Sequence, residues 1–403
     1  MSFWSADHFQ FNRLELAGSL GDLGTLLPLA LGMILINGLD PVGLFLSIGL
    51  FYIGAGLYFG VTVPVQPMKV IGAYAVATGL SALQITAAGL LMALFLLMIG
   101  ASGAMGFIGR MMPRAVVRGV QLSTGVLLIR EGVKLVMGAS RVQALAEKAE
   151  PFLTFQSLGP LPIGLVIGVG CVVLAFALID NRRLPGGLVV VMVGLLLGVV
   201  IGQRTELTQA RLGLYLPTWL PFGWPGWADF SGALILMVLP QIPMTIGNAV
   251  VAYGDLSQQY FGDHSQRVTA RATCLSMAAA SLFSALVGGM PLCHGAGGLA
   301  AHYRFGARTA GSNLMVGTLL VLLVLFLGPH TVSLLHLLPL SVLGVLLLFA
   351  GSELAMTMID LQSRKELFVA VVMLGITLAL NLAVAFIAGI VVAAALKSGR
   401  FNV

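Results

Sequence analysis

Pro64-Val65-Gln66-Pro67-Met68-Lys69 and Met290-Pro291-Leu292-Cys293-His294-Gly295-Ala296-Gly297-Gly298 decide how this chain is read. Two prolines three apart cannot both lie inside a helix, because each lacks a backbone N–H. Pro67 suits the first residue of a helix that begins within an apolar run, with extended chain before it. Such a start exposes N–H groups at a positive dipole end, where anions bind. Gln66 adds an amide donor. Lys69, one turn in, either adds a full charge or snorkels to the interface. The second stretch follows Gly288-Gly289 and carries three glycines within Gly295–Gly298, which permits close backbone approach. His294 offers a ring donor to an oxyanion; the alternative is a Gly-rich helix-packing surface. Cys293 and His294 are too few ligands for zinc.

Outward from these stretches, the 403 residues are 58% hydrophobic and 9% charged, with mean hydropathy +1.01. Soluble domains carry about 25% charged residues. Soluble, disordered, disulfide-scaffold and nucleic-acid-binding classes are therefore excluded, leaving an all-α polytopic membrane protein. A span needs about 20 apolar residues. Candidates fall at 14–37, 42–60, 64–82, 84–108, 113–136, 159–179, 185–202, 230–253, 268–288, 291–303, 310–328, 332–351, 366–380 and 382–397, about fourteen segments. Met1–Asn12 has no basic n-region, so no cleaved signal peptide is expected. Cys171, Cys274 and Cys293 lie in or beside apolar runs without metal-ligand spacing.

The net charge of +6 sorts by topology. With both termini cytoplasmic, 14 basic residues face inward, among them Arg110, Arg114, Arg118, Arg182, Arg183, Arg304, Arg308 and Arg400. Six face outward (Arg130, Lys134, Arg141, Lys148, Arg204 and Arg211), beside Glu131, Glu147, Glu150 and Glu206, and Lys69 stays within a span. The positive-inside rule favours this orientation in the cytoplasmic (inner) membrane.

The two broken openings head the third and tenth segments, seven apart. Pro113-Arg114 and Pro339-Leu340 head the fifth and twelfth, and the first and eighth both carry polar residues at mid-depth. Seven is odd, so residues 11–202 and 228–397 are expected to form inverted repeats.

Other polar residues in apolar runs join the candidate site. Asp22 and Thr25 occur in Ser19-Leu20-Gly21-Asp22-Leu23-Gly24-Thr25. Asp22 carries protons, neutralises Lys69, or caps a helix at a break over Gly21–Gly24. Gln241, Thr245 and Asn248 share one face at i, i+4 and i+7. They line a polar-substrate cavity or simply bond between helices, and Pro240 and Pro243 should kink or break their span. Gln121, Ser123 and Glu353, the last placed after the twelfth segment, complete the set. No nucleotide loop, nucleophile elbow or metal-binding motif is visible. No catalytic residue, cofactor or metal is therefore expected.

Together with Val117-Arg118-Gly119-Val120-Gln121-Leu122-Ser123 and Tyr303-Arg304-Phe305-Gly306-Ala307-Arg308, these motifs resemble the molybdate transporter family, a relative of the sulfate permeases. The resemblance runs from about residue 12 to 395. It implies a 7+7 inverted repeat with core and gate domains, and half-helices at segments 3 and 10 whose N-termini face the substrate. It implies a tetrahedral oxyanion, molybdate, with sulfate or tungstate as close competitors. The C-terminal STAS domain usual in sulfate permeases is expected to be absent. On this basis Gln66, Pro67, Met68, Lys69, Cys293, His294, Gly295, Ala296 and Gly297 are expected around the substrate, with Thr25, Gln241, Thr245 and Asn248. Secondary transport by alternating access is expected, coupled to protons through Asp22 or Glu353. Partners are then the oxyanion, the lipid bilayer and protons, with a homodimer left open and no nucleic acid. Rival readings are a sulfate or nucleobase transporter of the same fold, or an anion channel.

Overall fold

Asn12 starts the first helix by accepting the Leu14 and Glu15 backbone N–H groups on its side chain. The computed structural model describes residues 9–103, 113–178, 181, 184–202 and 211–397. Arg110, Arg182, Arg183, Arg204, Glu206 and Arg400 lie outside them. Helices α1 (Arg13–Gly21) and α2 (Leu23–Leu35) meet at Asp22 with a 48° bend. Then come α3 (Pro41–Phe59), strand β1 (Gln66–Pro67), α4 (Lys69–Thr78), α5 (Ala82–Ser102), α6 (Arg114–Met137) and α7 (Arg141–Ala146). A small hairpin, β2 (Ser157–Leu158) and β3 (Leu161–Pro162), precedes α8 (Ile163–Leu178) and α9 (Gly186–Ile201). The second half holds α10 (Trp227–Ser265), α11 (Ala270–Leu286), β4 (Leu292–Cys293), α12 (Ala296–Phe305), α13 (Ala310–Leu327), α14 (Leu340–Met356), α15 (Arg364–Ala379) and α16 (Leu382–Lys397).

Among the described residues, five helical segments are long and apolar enough to cross a bilayer, and the bent α1–α2 pair makes a sixth. The apolar helices α4, α8, α9, α11 and α16 are shorter. Length and composition therefore do not by themselves reach fourteen spans. Two boundaries differ from expectation. The apolar sequence before Pro339 forms a separate short helix, Thr331–Leu335, so the twelfth segment starts at Leu340 and runs to Met356. Glu353 consequently sits within α14 rather than after it. Pro240 and Pro243 do not break α10 either. That helix continues through π-helical turns at Leu234–Val238 and Thr245–Ala252, where wider winding absorbs the missing proline donors.

Helix α4 has 10 residues, which at 1.5 Å per residue covers roughly 15 Å, half of a bilayer core of about 30 Å. Helix α12 has the same length. Extended chain precedes each, and in hydrocarbon such backbone must be satisfied internally. β1 and β4 pair antiparallel, with Gln66 opposite Cys293 and Pro67 opposite Leu292. Asn313 on α13 acts as a surrogate strand. Its Oδ1 accepts the Val63 N–H at 2.9 Å, and its Nδ2 donates to the Val63 and Tyr52 carbonyls at 2.8 and 3.2 Å. Ser281 both donates to and accepts from Leu292, and Ser284 donates to the Met290 carbonyl. Asn313→Leu would strand two backbone groups in a fully buried place. It should cost about 2–4 kcal/mol, read as a clear loss of melting temperature in detergent; an unchanged melting point would show that Asn313 does not hold this stretch.

Around the crossing, α3 packs on α13, α5 on α11, and α6 on α14. Small residues allow the closest approaches. A methyl at Gly49 would lie 2.8 Å from the Gly317 oxygen, and one at Gly317 would lie 2.7 Å from the Gly49 oxygen. Large apolar side chains, including Leu94, Leu97, Val173, Phe176, Leu322 and Val371, are exposed on the outside. Bilayer lipid is the solvent that tolerates such a surface.

Candidate functional site

The bend at Asp22 brings a carboxylate against the β1–β4 crossing. Asp22 is buried and gives α2 no side-chain cap. The Thr25 hydroxyl and the Gln66 amide instead each donate to its Oδ1 at 2.5 Å, and Gln66 Nε2 also reaches Thr25 Oγ1 at 3.1 Å. Among the described residues, Asp22 Oδ2 and Gln66 Oε1 are buried without a hydrogen-bond partner. Among the described residues no carboxylate pairs with Lys69. The Asp22 side chain does not cap α2.

The two half-helices are not equivalent. Gln241 Oε1 accepts the Val70 and Ile71 N–H groups at 2.9 and 3.2 Å, and its Nε2 donates to Thr245 Oγ1 at 2.8 Å. The N-terminus of α4 is thus capped from α10, two of its free donors being consumed. At α12, Gly295 provides no side-chain cap. Gly297 in its first turn is exposed, and a methyl added there would lie 3.9 Å from Lys69 Nζ. The ammonium group of one half-helix therefore lies over the open N-terminus of the other.

A cavity of about 500 Å³ opens at this point. Asp22, Thr25, Lys69, Asn248 and Gly297 line it, as do Arg304, in the last turn of α12, and Glu353 of α14. Several expected residues do not reach it. His294 is fully buried, with Nδ1 2.9 Å from the Pro64 carbonyl and Nε2 2.9 Å from Ser276 Oγ. Phe51, Phe59 and Tyr253 pack on its ring. Both ring nitrogens are engaged, and the ring holds Pro64 in place. Cys293 Sγ contacts the Pro67 carbonyl at 3.5 Å, and the Met68 N–H donates to Pro291 at 2.9 Å. Pro67, Met68, Cys293 and His294 thus build the crossing. Gln66, Gly295 and Ala296 lie just behind the cavity wall, where a methyl at Gly295 would come 3.3 Å from Asn248 Nδ2. Of the Gln241, Thr245 and Asn248 face, only Asn248 lines the cavity; the π-helical turn separates it from the other two.

Sequence reading passed over Asn313, Ser276, Ser281 and Ser284, which hold the extended segments. Each is a polar residue within an apolar helix, which was the available signal. Among the described residues no group of three His, Cys, Asp or Glu side chains could hold a metal.

A bent first helix, two short helices meeting head-on at paired extended segments, and a cavity between them that mixes charged and apolar side chains define a helical membrane transporter fold. The transmembrane domain of the cyanobacterial bicarbonate transporter BicA superposes with TM-score 0.65 at 18% identity, over 95% of this chain and 98% of that one. The murine anion transporter Slc26a9 in its inward-facing state gives TM-score 0.68 at 15% identity, over 98% and 70%. The chain belongs to the molybdate transporter family. Residues 14–128 and 233–354 match the family described as "Molybdate transporter of MFS superfamily". "Molybdate transporter 2" of Arabidopsis thaliana is 33% identical over 89% of this chain and 81% of its own length. "Molybdate transporter 1" of Chlamydomonas reinhardtii is 32% identical over 95% and 91%. The expected family is thereby borne out, and the chain is an integral membrane transporter rather than an enzyme.

Proposed function

We propose that the chain carries molybdate, a tetrahedral dianion, across the cytoplasmic membrane by proton-coupled alternating access. One observation carries this: Lys69 Nζ lies over the uncapped N-terminus of α12, facing a cavity and paired with no carboxylate among the described residues. Fixed N–H dipoles and a full charge then converge on one spot in a low-dielectric setting. Lys69, Gly297, Asn248 and Thr25 meet the anion. The Gln66–Asp22 pair fixes Thr25, and Gln241, Thr245, His294 and Cys293 set the half-helices.

The architecture that would move the site is a 7+7 inverted repeat over 11–202 and 228–397. Its core comprises α1–α5 and α10–α13, and its gate α6, α8, α9 and α14–α16. Support comes from the reciprocal packing: second segment on eleventh, fourth on ninth, fifth on twelfth. With both termini cytoplasmic, the Arg304 end of the cavity faces inward.

Charge balance motivates the coupling. Among the described residues the cavity is lined by two acids, Asp22 and Glu353, and two bases, Lys69 and Arg304. Protonating Asp22 makes that set net positive, as a dianion requires. Entry against a negative-inside potential costs about 2.3 kcal/mol per charge per 100 mV, which co-transported protons offset. In proteoliposomes, molybdate uptake should rise several-fold under an inward proton gradient, with sulfate as competitor. In Asp22→Asn, which keeps an oxygen for Gln66 but cannot carry a proton, uptake should become insensitive to the gradient while binding survives. Wild-type uptake indifferent to pH would remove the coupling. An absence of molybdate binding would remove the substrate.

A further inference from the structure

Helix α6 contributes one polar side chain to the cavity wall, Gln121, and its orientation is dictated rather than free. Arg118 Nη1 donates to Gln121 Oε1 at 2.7 Å, and Thr357 Oγ1 lies 3.0 Å from the same oxygen, its one proton shared with the Leu354 carbonyl at 2.7 Å. A guanidinium has donors and no acceptor, so only the amide oxygen can face Arg118. Arg118 is itself locked. Its Nε donates to Asp360 Oδ1 at 2.9 Å, its Nη2 pairs with Asp360 Oδ2, and Arg114 joins that carboxylate at 2.9 Å. This two-pronged geometry holds the guanidinium plane. Arg118 thus fixes Gln121 Oε1 on its own side. Gln121 Nε2, with two N–H donors, forms no hydrogen bond among the described residues, and Gln121 lines the cavity.

We infer that Gln121 is a second, gate-side substrate contact, donating from Nε2 to an oxygen of the bound oxyanion. Arg118 and Thr357 are its positioning residues. The inference rests on the oxyanion reading of the cavity and extends it. Lys69 and Gly297 hold the anion from the core, while Gln121 belongs to α6 and its partners Thr357 and Asp360 follow α14. An anion in contact with Gln121 is therefore tied to both bodies that alternating access must move apart. The contact is selective for acceptor oxygens, because an amide nitrogen whose partner oxygen is immobilised cannot turn to offer its carbonyl instead.

The test is calorimetric titration of purified full-length protein with molybdate, alongside melting temperature, for Gln121→Met and Gln121→Glu. Methionine keeps the volume and removes donor and acceptor. Glutamate keeps the oxygens that Arg118 and Thr357 need and removes the donor. A hydrogen bond to a charged group is worth about 1.5–3 kcal/mol. Both variants should therefore raise the molybdate Kd by about tenfold or more, with Gln121→Glu retaining the wild-type melting temperature. Wild-type affinity in Gln121→Glu with loss only in Gln121→Met would mean that the side chain merely bridges Arg118 and Thr357, and the inference falls. Wild-type affinity in both variants overturns it as well. If the wild-type protein binds neither molybdate nor sulfate, the oxyanion reading itself fails, an outcome distinct from these and equally fatal to the contact.

Discussion

Gly298→Ala should abolish molybdate uptake and weaken binding at least a hundredfold in protein that still inserts. A methyl at Gly298 would lie 2.6 Å from Asp22 Oδ2, 2.6 Å from Gln66 Nε2 and 2.7 Å from Pro64 Cβ. None of these can give way cheaply. Asp22 and Gln66 are bonded to each other and to Thr25, and the carbonyl of Pro64 is held by His294. The first turn of α12 would have to back away from the crossing, carrying its open N–H groups away from Lys69. Overpacking of this kind costs about 1–3 kcal/mol of stability, so the functional loss should far exceed the structural one. Gly375→Ala is the control, since a methyl there meets nothing within 4 Å. Wild-type binding in Gly298→Ala would mean that the half-helices do not meet as described.

Lys69→Met should raise the molybdate Kd by about a hundredfold to a thousandfold with little change in melting temperature. Removing one partner of a desolvated charge pair typically costs 2–5 kcal/mol, and among the described residues no carboxylate forms a direct ion pair with Lys69. Methionine preserves the apolar stem that packs in the first turn of α4. Lys69→Arg should recover part of the affinity, because the charge returns on a larger, planar group that fits the α12 turn less well. If Lys69 only snorkels to the interface, Lys69→Met will bind as tightly as wild type. High salt should also weaken binding in the wild type more than in Lys69→Met, since the variant has less charge to screen.

How much was legible beforehand varies residue by residue. Pro64, Pro67 and Gly295–Gly298 announced broken helices through local chemistry alone, and α4 and α12 begin at Lys69 and Ala296 with extended chain ahead. Asp22 was legible as a carboxylate in an apolar run, but not its partner. Gln66, 44 positions away, donates to it. His294 looked like a ligand because it adjoins the glycines; the ring turns towards Ser276 and Pro64. The α-helical spacing of Gln241, Thr245 and Asn248 suggested one face. The π-turn at Thr245–Ala252 changes the winding and leaves only Asn248 in the cavity. Gln121 stood among the minor candidates, because nothing in its neighbourhood of the chain reveals Thr357 and Asp360, more than 230 residues on.

From the sequence alone, the membrane class, the two broken helices and the molybdate transporter family were determined. Transfer free energy, the missing proline N–H and glycine's backbone freedom belong to residues wherever they fold, and the family motifs are contiguous. Only the tertiary structure decided which polar groups line the cavity and which serve the scaffold. In a water-poor interior every buried donor seeks an acceptor, and the nearest one is supplied by whichever distant segment packs there. Gln241 is spent on α4 from 171 residues away, while Lys69 forms no direct ion pair among the described residues.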